Sequence, residues 1–252
     1  LQDLHATRLL YVVDSRQHQH LNQVFLAAAK AGWLRPPARA EHVNFGTILG
    51  TDGRPLKSRS GEPPKLSDMP DEALDRATAV VNDKNPEMDG DTRTAIARAV
   101  GIGAVKYADL SGERIKDYTF DPERMVAFDG NTGPYLQYAH ARIQSVFRRA
   151  GITPEAVAGA AVAIAEPQER ALAIALFGFG EAVNAVADAS APHKLCTYLF
   201  DLAQTFTSFY EACPVLKAAD ATRDSRLVLC AATASTLRTG LDLLGIETPE
   251  QM

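Results

Sequence analysis

Apolar positions recur along this chain in two rhythms. Leu9-Leu10-Tyr11-Val12-Val13 is a short run rich in β-branched residues, which predicts a buried parallel strand. Leu21, Val24, Phe25, Ala28 and Ala29 then fall on one side of a helix expected over 17–31. Asp14 or Ser15 can cap its start, and Gly32 ends it. Pro36-Pro37 forbids helix, His42 to Leu49 reads as a second strand, and Asp52-Gly53 signals a turn. This β-α-β piece is at most half of a nucleotide-binding sheet.

Beyond residue 65 the rhythm is helical, so strand is expected only within the first ~60 residues. One helix spans roughly 66–82, starting near Asp68 with Pro70 in its first turn and Ala73, Leu74, Ala77 and Val80 on one face. After a polar connector, 92–110 reads as a second. Gly101 and Gly103 there form only G-x-G, which suits close helix approach better than phosphate binding. Asp117 to Pro122 reads as an extended turn. Further helices are expected over 153–163, 167–189, 192–211 and 225–244. Leu195, Leu199, Leu202, Phe206 and Phe209 repeat at helical spacing, and Tyr198, Phe206, Phe209 and Tyr210 read as core before base-stacking.

Between these parts lies Asn131-Thr-Gly-Pro-Tyr-Leu-Gln-Tyr-Ala-His-Ala-Arg142. Pro134 pre-sets the first turn of a helix, and Asn131 or Thr132 can accept from its free N–H groups. Leu136, Ile143, Phe147 and Ala150 share a face spaced for burial. Tyr135, Tyr138, Arg142 and Arg149 share a second. Aromatics interleaved with arginines can stack on bases and pair with phosphates, or form the solvated edge of a core helix. Spacing alone leaves both open.

Composition narrows the class. With 252 residues, 46% hydrophobic and 23% charged, the chain can bury a core and is unlike a disordered one. No apolar window is long enough to cross a membrane, and no signal peptide opens it. Leu1 is not a start methionine, so the sequence reads as cut from something longer. Cys196, Cys213 and Cys230 are spread without a C-x-x-C pair, the usage of a reducing cytosol. A net charge of -5 argues against a purely electrostatic nucleic-acid binder and confines any RNA contact to a small patch.

Two clusters hold candidate chemistry. Gln17 and His20 sit at the start of the first helix, on the carboxyl edge of its strand, where open α/β sheets bind ligands. A helix cap with exposed histidines is the plain alternative. A metal is the third, disfavoured because no Cys or carboxylate cluster lies nearby, and no metal ligand is assigned. The loop 50–61 sets Arg54, Lys57 and Arg59 among small hydroxylic residues, and such a loop can close on a triphosphate. A cationic turn is its alternative. Lys106, Arg114 and Lys116 form either a small basic surface or a solvated face.

Several long stretches occur together and in order: 11–20, Val43-Asn-Phe-Gly46, Lys57-Ser-Arg-Ser-Gly61, 101–110, 131–142 and Leu243-Leu-Gly-Ile246. Across essentially the whole chain they resemble class I arginyl-tRNA synthetases, whose helical anticodon-binding part is the DALR domain. The resemblance implies a mostly α fold: a partial Rossmann-like β-α-β remnant, a helical connecting module and an α-helical bundle, over 1–65, 66–132 and 133–252. It implies a share in arginine–tRNA ligase chemistry, with ATP and L-arginine as substrates, Mg²⁺ accompanying the nucleotide and tRNA(Arg) as partner, in the cytoplasm, away from membrane and DNA. Lys57, Ser58 and Arg59 match the family's degenerate lysine signature as catalytic residues. Phe45, Gly46 and Lys57 match ATP contacts, and Gln17 and His20 the arginine and adenylate pocket. Tyr135, Tyr138, Arg142, Arg149 and Met252 match tRNA contacts. Two departures stand out: Glu62-Pro63-Pro64 where the family continues with glycine and apolar residues, and Gln251 where it has arginine. The family's histidine-rich first signature is not in these residues, so catalysis by this chain alone is not expected. A stand-alone tRNA-binding or regulatory module derived from a synthetase is the alternative.

Overall fold

The computed structural model describes residues 5–55 and 68–252. Strand β1 (Arg8–Val12) runs parallel to β2 (Arg39–Val43), with Tyr11 opposite His42, and the crossover carries α1 (His18–Lys30). A 3₁₀ turn over Ser15–Gln17 opens that crossover, with Arg16 N–H donating to Asp14 Oδ1 at 2.8 Å, and Gly32 closes it at φ 71. The β-α-β unit therefore forms, but its expected burial does not. Leu10 is 47% exposed and Val12 64%, and in α1 only Leu21 is buried while Val24 and Ala29 face solvent. Parallel sheets bury both faces only when helices cover both. Among the described residues this sheet has two strands.

The second expected strand is interrupted. After Val43 the backbone turns so that Gly46 lies against the Lys116–Asp117 peptide, closer than any side chain would allow. The chain then resumes as β3 (Ile48–Leu49), parallel to β4 (Tyr118–Thr119) in a separate sheet. Strand thus extends past the first 60 residues. A two-residue strand held by one close backbone approach leaves no period in sequence.

Helices α2 (Asp68–Lys84), α3 (Gly90–Ser111) and α4 (Pro122–Met125) enclose a small core around Ala77, Val100, Ala104, Phe120 and Met125. A Cβ on Gly101 would sit 2.9 Å from Leu74 Cα, so the glycine sets the α2–α3 distance. The larger core joins α5 (Gly133–Ala150), α6 (Pro167–Phe177), α7 (Phe179–Ala189), α8 (His193–Ala212) and α9 (Asp220–Leu243) around Leu136, Ile143, Leu199, Phe206 and Leu237. Thr132 Oγ1 caps α5 by accepting from Tyr135 N at 3.2 Å, while Asn131 is engaged by the Tyr107 hydroxyl at 2.6 Å.

Three helix expectations change. Over 153–163 only a 3₁₀ turn at Pro154–Val157 forms, and Ala163 N–H donates instead to Ser225 Oγ at 2.9 Å. An alanine run broken by Gly159 offers no amphipathic stripe to pack. The span 167–189 breaks at Gly178 into α6 and α7. The last helix starts at Asp220, where ion pairs from Arg223 to Asp220 and Asp224, both at 3.2 Å, support a first turn whose only apolar residue is Ala221.

Candidate functional site

Gln17 and His20 stand exposed at the start of α1, beyond the carboxyl end of β1. Between them and β2, His18 and His42 stack at 5.5 Å with Nδ1 atoms 3.3 Å apart. His42 Nε2 lies 3.0 Å from the Val13 carbonyl and therefore carries the proton. Phe45 and Gly46 lie elsewhere, on the wall of an apolar cleft of about 760 Å³ with Leu10, Val12, Ile48 and Val186. Gln17 and His20 do not line that cleft. Lys57, Ser58 and Arg59 lie outside the described residues.

The loop holding Phe45 is tightly stitched. Gly46 N–H donates to Arg114 O at 2.8 Å, Thr47 N–H to Asp117 Oδ1 at 2.6 Å, and Tyr118 N–H to Thr47 O at 3.2 Å. Of the cations offered as a basic surface, none is loose. Arg114 bonds Asn44 and Ser190, Lys106 the Gly245 carbonyl, and Lys116 pairs with Glu113 at 2.6 Å.

The aromatic–arginine stripe of α5 divides by environment. Tyr135 is half-buried, its ring 5.6 Å from that of Phe200. Arg142 lies over the Tyr210 ring at 4.6 Å, a cation–π contact that fixes the guanidinium plane. Tyr138 is 45% exposed and meets Phe128 edge-on at 6.4 Å, and Lys84 Nζ lies 5.4 Å over the Phe128 ring. Arg149 is exposed and borders a groove shared with Ile152, Leu216 and Arg223. Together these leave one open aromatic ring, with Arg142 one turn along the helix and Arg149 near its end. Met252 is not free beside them, because it packs against the smaller core. Among the described residues no three His, Cys, Asp or Glu side chains are grouped to hold a metal.

Two known family models match the chain. A model described as the catalytic domain of class I tRNA synthetases (R) covers residues 1–122, and one described as the DALR anticodon binding domain covers 136–252. The chain is 56% identical to the arginine–tRNA ligase of Frankia casuarinae over 100% of its own length and 42% of that protein's. Its identity to the arginine–tRNA ligase of Thermobifida fusca is likewise 56%, over 44% of that protein. The chain belongs to the class I arginyl-tRNA synthetase family. Its fold superposes on Thermus thermophilus arginyl-tRNA synthetase with a TM-score of 0.86 at 37% identity, covering 98% of this chain and 41% of that one. The Plasmodium falciparum arginyl-tRNA synthetase gives 0.83 at 29% identity. The chain thus spans less than half the length of the synthetases it matches.

Within this synthetase-family chain, three arrangements escaped sequence reading. The first is the meeting of Arg8 and Arg114 at Ser190. The second is the Glu169–Arg226 ion pair at 2.7 Å, with both side chains nearly inaccessible. The Glu166-x-x-Glu169 spacing before α6 was a legible signal for its capping half. The third is the anchoring of the tail on Gln137, His140 and Arg148, all in α5.

Proposed function

We propose that this chain supplies the tRNA-holding bundle and part of the adenylate-forming site of an arginine–tRNA ligase that acts on L-arginine, ATP and tRNA(Arg) in the cytoplasm. The observation that carries the reading is the union, in one chain, of a class I (R) catalytic match and a DALR match, with an aromatic–cationic face open on the DALR side. Tyr138, Arg142 and Arg149 receive the anticodon arm, by stacking and by pairing with phosphate. Tyr135 supports them from below, and Met252 orders the tail beside them. This part spans 133–252, joined through 66–132 to the catalytic remnant of 1–65.

On the other side, Gln17 and His20 face the arginine and its adenylate, and Phe45 and Gly46 flank the nucleotide. Lys57, with Ser58 and Arg59, balances charge developing on the transferred phosphates. Mg²⁺ comes with those phosphates. The test is Lys57→Ala in a synthetase of full family length. Adenylate formation should slow far more than tRNA(Arg) binding weakens, and equal losses in both would refute this assignment.

A further inference from the structure

The turn that carries Gln17 is held from the neighbouring strand by two imidazoles. His42 lies on β2 opposite Tyr11 of β1, and His18 opens α1 one residue after Gln17. Their ring planes are 28° apart and their Nδ1 atoms 3.3 Å apart, with 5.5 Å between centroids, so the rings meet through those nitrogens. His18 Nε2 lies 2.9 Å from Nδ2 of Asn22, and His42 Nε2 lies 3.0 Å from the Val13 carbonyl.

These contacts admit one arrangement of protons. A carbonyl only accepts, so His42 Nε2 carries the hydrogen and the Nδ1 of the neutral ring is bare. His18 Nδ1 then donates to it, and His18 Nε2, bare in turn, accepts from the Asn22 amide. Hydrogen bonds thus run in one direction from Asn22 through His18 and His42 to the end of β1, each ring holding one proton. A first added proton has a place. It goes to His18 Nε2, Asn22 turns its amide to present Oδ1, and the bond between the rings becomes charge-assisted. A second has none. Only His42 Nδ1 is left, and its protonation would set two hydrogens in a 3.3 Å gap between two cations. The rings then part, and β2 releases the start of α1.

The charged neighbours do not lift this restriction. Asp14, whose carboxylate feels His42, is already held by Arg16 Nε and Nη2 at 2.8 and 3.0 Å. Glu41, next to His42 on β2, is taken by Arg8 and Arg39. The other ionisable side chains of β1 and α1 are Tyr11, His20 and Lys30, which add no carboxylate. We propose that His42 is a positioning residue for the pocket around Gln17: through His18 it fixes the first turn of α1, and it lets go once both rings are charged. The inference rests on the reading of Gln17 and His20 as facing arginine. It adds to that reading a residue that touches no substrate and an acid limit on arginine binding.

Two measurements test it. In the 252-residue protein, ¹⁵N spectra of the imidazoles are followed from about pH 5 to 8, the range of histidine charge change. At neutral pH His42 should be the Nε2–H tautomer and His18 the Nδ1–H tautomer. The first proton should belong to the pair, and the Gln17 and His18 amide signals should move with the second. Rings that titrate independently, or His18 in the Nε2–H form, overturn the pairing. In a synthetase of full family length, His42→Leu should raise KM for arginine several-fold at neutral pH while KM for ATP stays near wild type. His42→Gln keeps a donor for Val13 and an acceptor for His18 but does not titrate, so it should restore that KM and abolish its rise in acid. A lowered melting temperature with KM unchanged, or a raised KM that glutamine does not rescue, leaves His42 as scaffold only. Gln17→Ala separates the two readings. An unchanged arginine KM in that variant removes the pocket itself, whereas a raised one beside a normal KM in His42→Leu removes the positioning alone.

Discussion

The carbonyl of Pro249, three residues from the end of this chain, accepts a hydrogen bond from Nδ1 of His140 at 3.3 Å. A carbonyl can only accept, so the proton sits on Nδ1, and Nε2 is left to accept from the Gln144 amide at 3.2 Å. His140 is fully buried, and burial holds its pKa below the usual histidine value, opposed by the Pro249 bond and aided by Arg238. Between the folded and unfolded values the unfolded chain binds more protons, so stability falls as pH falls. We expect the melting temperature to start dropping as pH passes below about 6.5, the unperturbed histidine value. His140→Gln should flatten that slope. An unchanged slope in the variant would assign the acid sensitivity to other groups.

Tyr138 and Tyr135 should separate binding from packing. Tyr138→Ala should weaken tRNA(Arg) binding by roughly 1–3 kcal/mol, the worth of one stacked base, at unchanged melting temperature. Tyr135→Ala, which removes the ring lying on Phe200, should lower the melting temperature. Titration and a thermal scan on both variants check this, and the reverse pattern would make Tyr138 the scaffold.

The buried pair Glu169–Arg226 should be costly to break. Burial alone would raise the Glu169 carboxyl, yet the N–H groups of Glu166 and Ala165 and the Arg226 guanidinium hold it below its ordinary range. Arg226→Met leaves that carboxylate without its counter-charge and frees the Pro214 carbonyl. A loss of about 3–5 kcal/mol in denaturant unfolding is expected. A change near zero would show that α6 and α9 are held by apolar contact alone.

Arginine-dependent ATP–pyrophosphate exchange should be absent from homogeneous 252-residue protein. Leu10, Tyr11 and Val12 stay open on a two-stranded sheet, whereas a nucleotide site of this architecture needs flanking strands and covering helices. Exchange above background would mean that the site completes itself some other way.

Local signals were the legible ones. Pro134 and Thr132 announced the start of α5, and Leu136, Ile143 and Phe147 its buried side, because capping and period act over one or two turns. Gly101 was read as a close-approach residue and sits that way against Leu74. What a neighbour does was not legible. A helical wheel puts Tyr135 and Tyr138 on one stripe but carries no trace of Phe200, which covers the first and not the second. The break at Gly178 hides inside an apolar run. Arg114 read as one cation among three, since its partners Asn44 and Ser190 lie 70 and 76 residues away.

The anchored tail has a consequence for how the molecule comes into being. Gln137 waits on Glu247, 110 residues later, and His140 and Arg148 wait on Pro249 and Glu250. On the ribosome the chain emerges from its N-terminal side. Helix α5 must therefore spend the synthesis of everything up to α9 with these three side chains lacking their tail partners, although Gln137 can already donate to the Ala99 carbonyl. Closing so long a loop is slow, and until it closes α5 carries polar groups without their tail partners, on a surface open to other chains. The bundle can be assembled early, but it is sealed last.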